Sequence, residues 1–177
     1  SSEGTLFREC PDTSGNVRKD ISVLSNVYDS ERGRLTIGTT AYGYPAGLPA
    51  IVMHANAGIT FDLDAIRNDL MDLEIVSLDA LCAIAPNPTL NQPVALESMA
   101  GRADFWIVVD GQVRKSLIAM PIDSSEAIHI PIQPQDRFLT IITTDHRVGS
   151  EKDPIHSDRC FLGVPVLGVQ SKASAKE

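Results

Sequence analysis

One stretch limits this chain more than any other: Phe105-Trp106-Ile107-Val108-Val109 runs into Asp110-Gly111 and out through Gln112-Val113-Arg114-Lys115. Asp-Gly between two β-rich runs is the pattern of a two-residue hairpin with a type I′ turn, because both central residues tolerate positive φ. Apolar residues occupy both faces of the first run, which places that strand inside a sheet and covered on both sides. The rest of the chain repeats the theme. Runs at 21–28, 34–37, 50–53, 59–61, 74–84, 103–109, 112–117, 127–132, 138–143 and 160–169 are β-type, and Gly, Pro, Asn and Asp separate them. Many short strands punctuated in this way predict an all-β antiparallel sandwich or barrel. Helical period shows in one place: Leu63, Ile66 and Leu70, with Asp62 as N-cap, predict a short helix after Phe61.

A length of 177 residues suits one domain. Residues 1–20 read as an irregular lead-in, 21–169 as the sandwich and 170–177 as a polar tail. Hydrophobic residues at 43% supply a core, and charged residues at 21% argue against wholesale disorder. A formal charge of −8 without clustered Lys or Arg excludes nucleic acid as a partner and disfavours anionic lipid. Neutral sugars and divalent cations stay compatible. No apolar run reaches the roughly 20 residues needed to cross a bilayer, so membrane insertion is not expected. The start, Ser1-Ser2-Glu3-Gly4, lacks the basic and apolar parts of a signal peptide, so the chain reads as cytosolic or, preferably, as a processed or excised piece. Cys10, Cys82 and Cys160 have no CxxC spacing. A Cys10–Cys160 bridge between terminal strands and plain buried thiols both fit; Cys82, in Leu81-Cys82-Ala83-Ile84, favours the latter.

Catalytic chemistry finds little footing. His54, His129, His146 and His156 show neither HxxxH nor HExxH spacing, and no GxSxG elbow occurs. Asp62, Asp64, Asp145, Asp153 and Asp158 supply carboxylates, but an acidic chain always offers such pairs, so glycoside hydrolysis is not indicated and the chain does not read as an enzyme. Sugar binding asks for other things: an aromatic face for the ring and polar groups that meet hydroxyls in pairs. Phe61, Phe105, Phe138 and Phe161 fall in apolar strands and read as core. Trp106 reads as core ahead of a ligand platform. Tyr42 and Tyr44, in the turn-rich Tyr42-Gly43-Tyr44-Pro45-Ala46-Gly47, suit ring stacking and equally a lid or packing role.

Several ordered blocks between residues 21 and 169 carry a family resemblance. They are Tyr44, Gly47-Leu48, His54-Ala55, Ile59 and Asp62-Leu63; then Ala103 to Gln112; then Asp136-Arg137-Phe138-Leu139-Thr140 and Thr144-Asp145; and last Gly163-Val164-Pro165-Val166-Leu167. In order and spacing they resemble the NPCBM carbohydrate-binding modules, in the form carried by planctomycete-type bacteria. The chain departs from the pattern where Asp158 is followed by Arg159 and not by Trp.

The resemblance implies a galactose-binding-like jelly-roll β-sandwich acting as a non-catalytic carbohydrate-binding module of a larger surface or periplasmic bacterial protein. An extracytoplasmic location follows from it. No cofactor is required; a structural calcium is compatible with the acidic loops. The expected site places Tyr42 and Tyr44 against the sugar ring and Asp145, His146 and Arg147 on its hydroxyls, with His54 and Asp62 beneath. The partners are then a glycan or other domains of the parent protein. The alternative is an interaction or scaffold module that docks a partner domain or a neighbouring subunit, homo- or hetero-oligomeric, through an apolar patch or the 21–28 strand edge.

Overall fold

The computed structural model describes residues 21–24, 35–43, 48–85, 102–146 and 159–172. The lead-in, Cys10, Tyr44, Arg147 and the charged stretch 147–158 lie outside them. The strands are β1 (Ile21–Leu24), β2 (Leu35–Ile37), β3 (Thr40–Tyr42), β4 (Ala50–His54), β5 (Ala57–Asp62), β6 (Leu73–Ala85), β7 (Arg102–Val109), β8 (Gln112–Pro121), β9 (Ser124–Pro131), β10 (Phe138–Asp145) and β11 (Arg159–Ser171). Among the described residues one helix, α1 (Leu63–Asp69), follows β5. A larger sheet of five strands runs β1-β4-β11-β6-β9, a smaller one of four runs β5-β10-β7-β8, and β2 pairs with β3 as a separate hairpin.

Local chemistry explains the elements that the sequence makes plain. Asp110 and Gly111 sit at φ 49° and 78°, as a type I′ turn requires, and join β7 to β8. The Asp110 carboxylate also accepts from the backbone N–H groups of Arg137 and Phe138, tying the turn to the start of β10. Asp62 caps α1 by accepting from the N–H groups of Asp64 and Ala65 at 3.0 and 3.2 Å. Arg67 then anchors the helix on the β9–β10 connection, donating to the carbonyls of Asp136 and Gln133.

The core lies between the two sheets. Ile107, Phe105 and Val109 of β7, Leu139 and Ile141 of β10 and Ile84 of β6 meet there. The outer face of the larger sheet carries a second apolar cluster, where Leu35 and Tyr42 of the β2–β3 hairpin cover Ala50, Val52, Ala83 and Phe161. Tyr42 is 6% exposed, and its ring meets Phe161 at 5.0 Å between centroids. The stacking platform expected at Tyr42 is therefore corrected. The turn-rich segment conceals a short strand, and the side chain closes a core. β11 also extends to Ser171, and Lys172 donates its N–H to the Asp72 carbonyl, so the sandwich reaches into the stretch read as tail. Cys82 and Cys160 are both buried, and burial pushes the Cys82 thiol up to about 12.

Beyond the hairpin, on the same outer face, Asp79 accepts from the Ser77 hydroxyl at 2.7 Å and lies 2.7 Å from His129 Nδ1. The Ser77 hydrogen bond, followed by the His129 contact, lowers the Asp79 carboxyl below the ordinary value of about 3.9. Serine bonds the carboxylate here and not the imidazole, so the trio lacks the nucleophile–base contact of a hydrolytic triad.

Two outcomes follow from this packing. A Cβ at Gly163 would stand 2.6 Å from the Tyr42 ring. Gly163→Ala should therefore cost about 1–3 kcal/mol in denaturant unfolding. Paired with Tyr42→Ala, its cost should fall well short of the sum of the single effects. A carboxyl with a depressed folded pKa stabilises above its unfolded pKa, and that stabilisation is lost as pH falls through the folded value. The melting temperatures of the wild type and of Asp79→Asn should accordingly differ at pH 6 and converge as the pH falls below the ordinary carboxylate range.

Candidate functional site

The ends of several strands meet at one edge of the sandwich. β4 ends at His54 beside Arg159, the first residue of β11, and Asp145 at the end of β10 opposes Ala103 near the start of β7. The turn between β4 and β5 carries the chain from the larger sheet to the smaller. Asn56 adopts φ 64° in that turn and accepts from the Asp145 N–H through its side-chain oxygen at 3.1 Å. Thr143 fastens the same corner by donating its hydroxyl to the His54 carbonyl at 2.7 Å.

On the outer face of the smaller sheet, at the same edge, a polar network runs between β7, β8 and β10. Asp104 is 1% exposed. Its carboxylate accepts from the Ala119 N–H at 2.7 Å and from the Thr144 hydroxyl at 3.1 Å, and stands 2.9 Å from His146 Nδ1. Trp106 Nε1 donates to the Thr144 hydroxyl at 3.0 Å. The indole is buried, facing away from the Phe105 side of the sheet, and its one polar atom is satisfied. Around Asp104 the β7–β8 pairing is bulged: Ala103 opposes Met120 and Phe105 opposes Leu117, so Ile118 and Ala119 together face Asp104. The His146 side chain is 25% exposed and so brings the network to the surface.

The residues named from the sequence are only partly gathered here. His54, Asp145 and His146 share this edge. Asp62 does not: it opposes Phe138 at the far end of β10, about 23 Å of strand from Asp145, and its carboxylate is used as a helix cap. Its placement beneath the site is thus corrected. Tyr42 is committed to the second core, and Asp145 is buried, so neither offers the surface contact expected of it. Tyr44 and Arg147 fall outside the described residues.

Sequence reasoning missed Asp104, Thr144 and Asn56 as parts of one arrangement. The signal available was the pairing of Thr144-Asp145 with Ala103-Asp104 in neighbouring strands, and that becomes visible only with the register. Among the described residues, no three His, Cys, Asp or Glu side chains converge to hold a metal. No described helix is long and apolar enough to cross a membrane.

At the other end, a cavity of about 220 Å³ lies between the sheets, walled by Ile51, Phe61, Ile66, Leu78 and Leu167 among others. Its described walls are apolar throughout, without the convergent polar groups that fix a sugar.

No protein-family model matches the sequence, and no curated protein matches it. Solved structures do match. The carbohydrate-binding module CBM51 from Clostridium perfringens GH95, solved in complex with methyl-galactose, superposes with a TM-score of 0.56 at 15% identity, covering 92% of this chain and 99% of that one. The tandem CBM51 modules of the family 98 glycoside hydrolase from Streptococcus pneumoniae give 0.55 at 16% identity, over 90% of this chain and 44% of theirs. CBM51-2 of Clostridium perfringens ZmpB, solved in complex with GlcNAc and joined to INT domains, gives 0.52 at 11% identity, over 89% of this chain and 30% of that one. The chain is the length of one such module and spans less than half of the multidomain chains, and the fold it shares with them is an antiparallel β-sandwich.

Proposed function

We propose that this chain is a non-catalytic carbohydrate-binding module that takes a neutral sugar, of galactoside class, at the strand-end edge around His146. The observation that carries the reading is the end-to-end likeness to a CBM51 module solved with methyl-galactose. The local chemistry agrees with it. His146 is partly exposed and held by a buried carboxylate, which suits a hydroxyl contact. Arg147, next in the chain, is the second proposed contact; none is assigned to His54, which alternates with Ala50 and Val52 toward the outer face of the larger sheet, or to Tyr44, two residues from Tyr42 of that face. Asp104 and Asp145 are buried, a placement that suits support of the edge more than acid–base work on a bound sugar. The net charge of −8 favours an uncharged ligand. The module would serve a larger extracytoplasmic bacterial protein, as the CBM51 modules of the matched multidomain chains accompany other domains.

A shallow edge site buries little ligand, so affinity should be weak, with Kd on the order of 1 mM, about −4 kcal/mol. Titration of isotope-labelled protein with methyl-galactose should shift the amide signals of Asn56, Arg102 and His146. His146→Ala should weaken binding roughly tenfold or more without lowering the melting temperature by more than a few degrees. Signal changes confined to the Asp62 end, or a galactoside and glycan panel that leaves the spectrum unmoved, would sink the reading and turn attention to protein partners.

A further inference from the structure

The donors and acceptors at Asp104 can be assigned one by one, starting from the indole. Trp106 Nε1 can only donate, so the Thr144 oxygen, 3.0 Å away, accepts from it. The Thr144 hydroxyl proton is then directed to Asp104 Oδ2, at 3.1 Å. Ala119 N–H donates to Asp104 Oδ1 at 2.7 Å. Both carboxylate oxygens are therefore acceptors, and the remaining contact, His146 Nδ1 at 2.9 Å from Oδ1, must be filled by an N–H. Polarity is set from the sheet interior outward, by one residue of fixed donor character.

The backbone is shaped to the same end. Ala119 holds φ 57°, a left-handed conformation that a residue with a Cβ adopts at a cost, and it does so at the bulge that faces Asp104. The extra residue turns the Ala119 N–H out of the ladder and onto the carboxylate. Strain, bulge and buried charge thus coincide on one side chain, whose partner is the His at the surface.

We infer that Asp104 is a positioning residue: it fixes the His146 imidazole with Nδ1 as donor, so that Nε2 is presented at the site edge as an acceptor for a ligand hydroxyl. The ligand class is one that donates O–H, a polyol or sugar; the inference deepens the carbohydrate reading and rests on it. A site of this polarity also disfavours ligands that offer only acceptors at that position, such as a carboxylate or phosphate.

The tautomer is measurable without any sugar. Long-range proton–nitrogen correlation spectra of the His146 ring at pH 7.5 should show a neutral imidazole protonated on Nδ1. An Nε2–H tautomer, or an imidazolium at that pH, overturns the assignment. Asp104→Asn keeps the shape but replaces one acceptor oxygen with an NH₂ donor, and should mix the two tautomers while circular dichroism shows an unchanged fold. An unchanged ring spectrum in that variant overturns the positioning role. Should Asp104→Asn fail to fold, Thr144→Val serves in its place: it removes the step that links Trp106 to Oδ2 and should broaden or shift the His146 ring signals. Methyl-galactose affinity, read in parallel, should fall about tenfold in Asp104→Asn. If the wild type shows the Nδ1–H tautomer yet binds no methyl-galactose or other sugar, the carbohydrate reading fails while the positioning by Asp104 stands. If it binds with equal affinity in wild type and variant, the acceptor role of Nε2 is overturned and the carbohydrate reading stands.

Discussion

Everything else in the sandwich hangs on the pairing of β6 with β11. Each strand is 13 residues long, and they lie side by side in the interior of the larger sheet. The pair serves two cores at once. Cys82, Ile84 and Leu162 point between the sheets, while Ala83, Ala85 and Phe161 point outward under the β2–β3 hairpin. Such strands cannot alternate apolar with polar, which is why both read as nearly continuous hydrophobic runs. The register breaks twice, between Gly163 and Val166 and between Gly168 and Val169. At the first break Val164 takes φ 47°, and its N–H turns to the Pro49 carbonyl. The break comes where β4 runs out at Ala50. Gly163, just before it, leaves room for Tyr42 and so for the second core.

The far ends of the same strands set the candidate site. Because β4 begins its pairing with β11 at His54 and Arg159, and β10 ends against β7 at Asp145 and Ala103, the two sheets finish together. The Asn56 turn and the Thr143 hydroxyl lock that edge before any loop is considered. The buried Asp104 carboxylate is tolerable there because its oxygens meet three donors. Loss of the two inner donors, the Ala119 N–H and the Thr144 hydroxyl, would leave a buried, under-satisfied charge, whose desolvation costs several kcal/mol, whereas at the partly exposed His146 water can take the place of the ring.

Features fixed by contacts within a few residues were legible in the sequence. The Asp110-Gly111 turn needs only two left-handed residues between two β runs, and the Asp62 cap reaches N–H groups two and three positions on. Strand positions followed from β-branched and aromatic runs, and most agree with the structure to within a few residues. The short β3 strand was hidden, because Thr40-Ala41-Tyr42 is too brief to show period two, and the Gly- and Pro-rich neighbours argue for a turn. The site was hidden for a different reason. Asp104 and Thr144 lie 40 positions apart, and only the register of β7 with β10 makes them neighbours. The same register puts Asp62 and Asp145 at opposite ends of one strand pair, although the resemblance implies one site for both, Asp145 on the hydroxyls and Asp62 beneath.

A backbone shared at 11–16% identity leaves almost every side chain free to differ, so the likeness carries the fold and the site has to carry the function. For a sugar ligand this separation has a physical consequence. A galactoside offers little apolar area, and a shallow edge cannot bury much of it. Affinity then depends on hydroxyls meeting donors and acceptors already in place, because every side chain ordered on binding subtracts from a small total. A relay that begins at a buried indole and ends at His146 removes that ordering cost in advance. In the proposed site the Trp106–Thr144–Asp104 chain serves recognition as well as packing. The face of the sheet opposite Phe105 can carry a buried aspartate because His146 finishes its hydrogen bonding at the surface, where a ligand can use the other ring nitrogen.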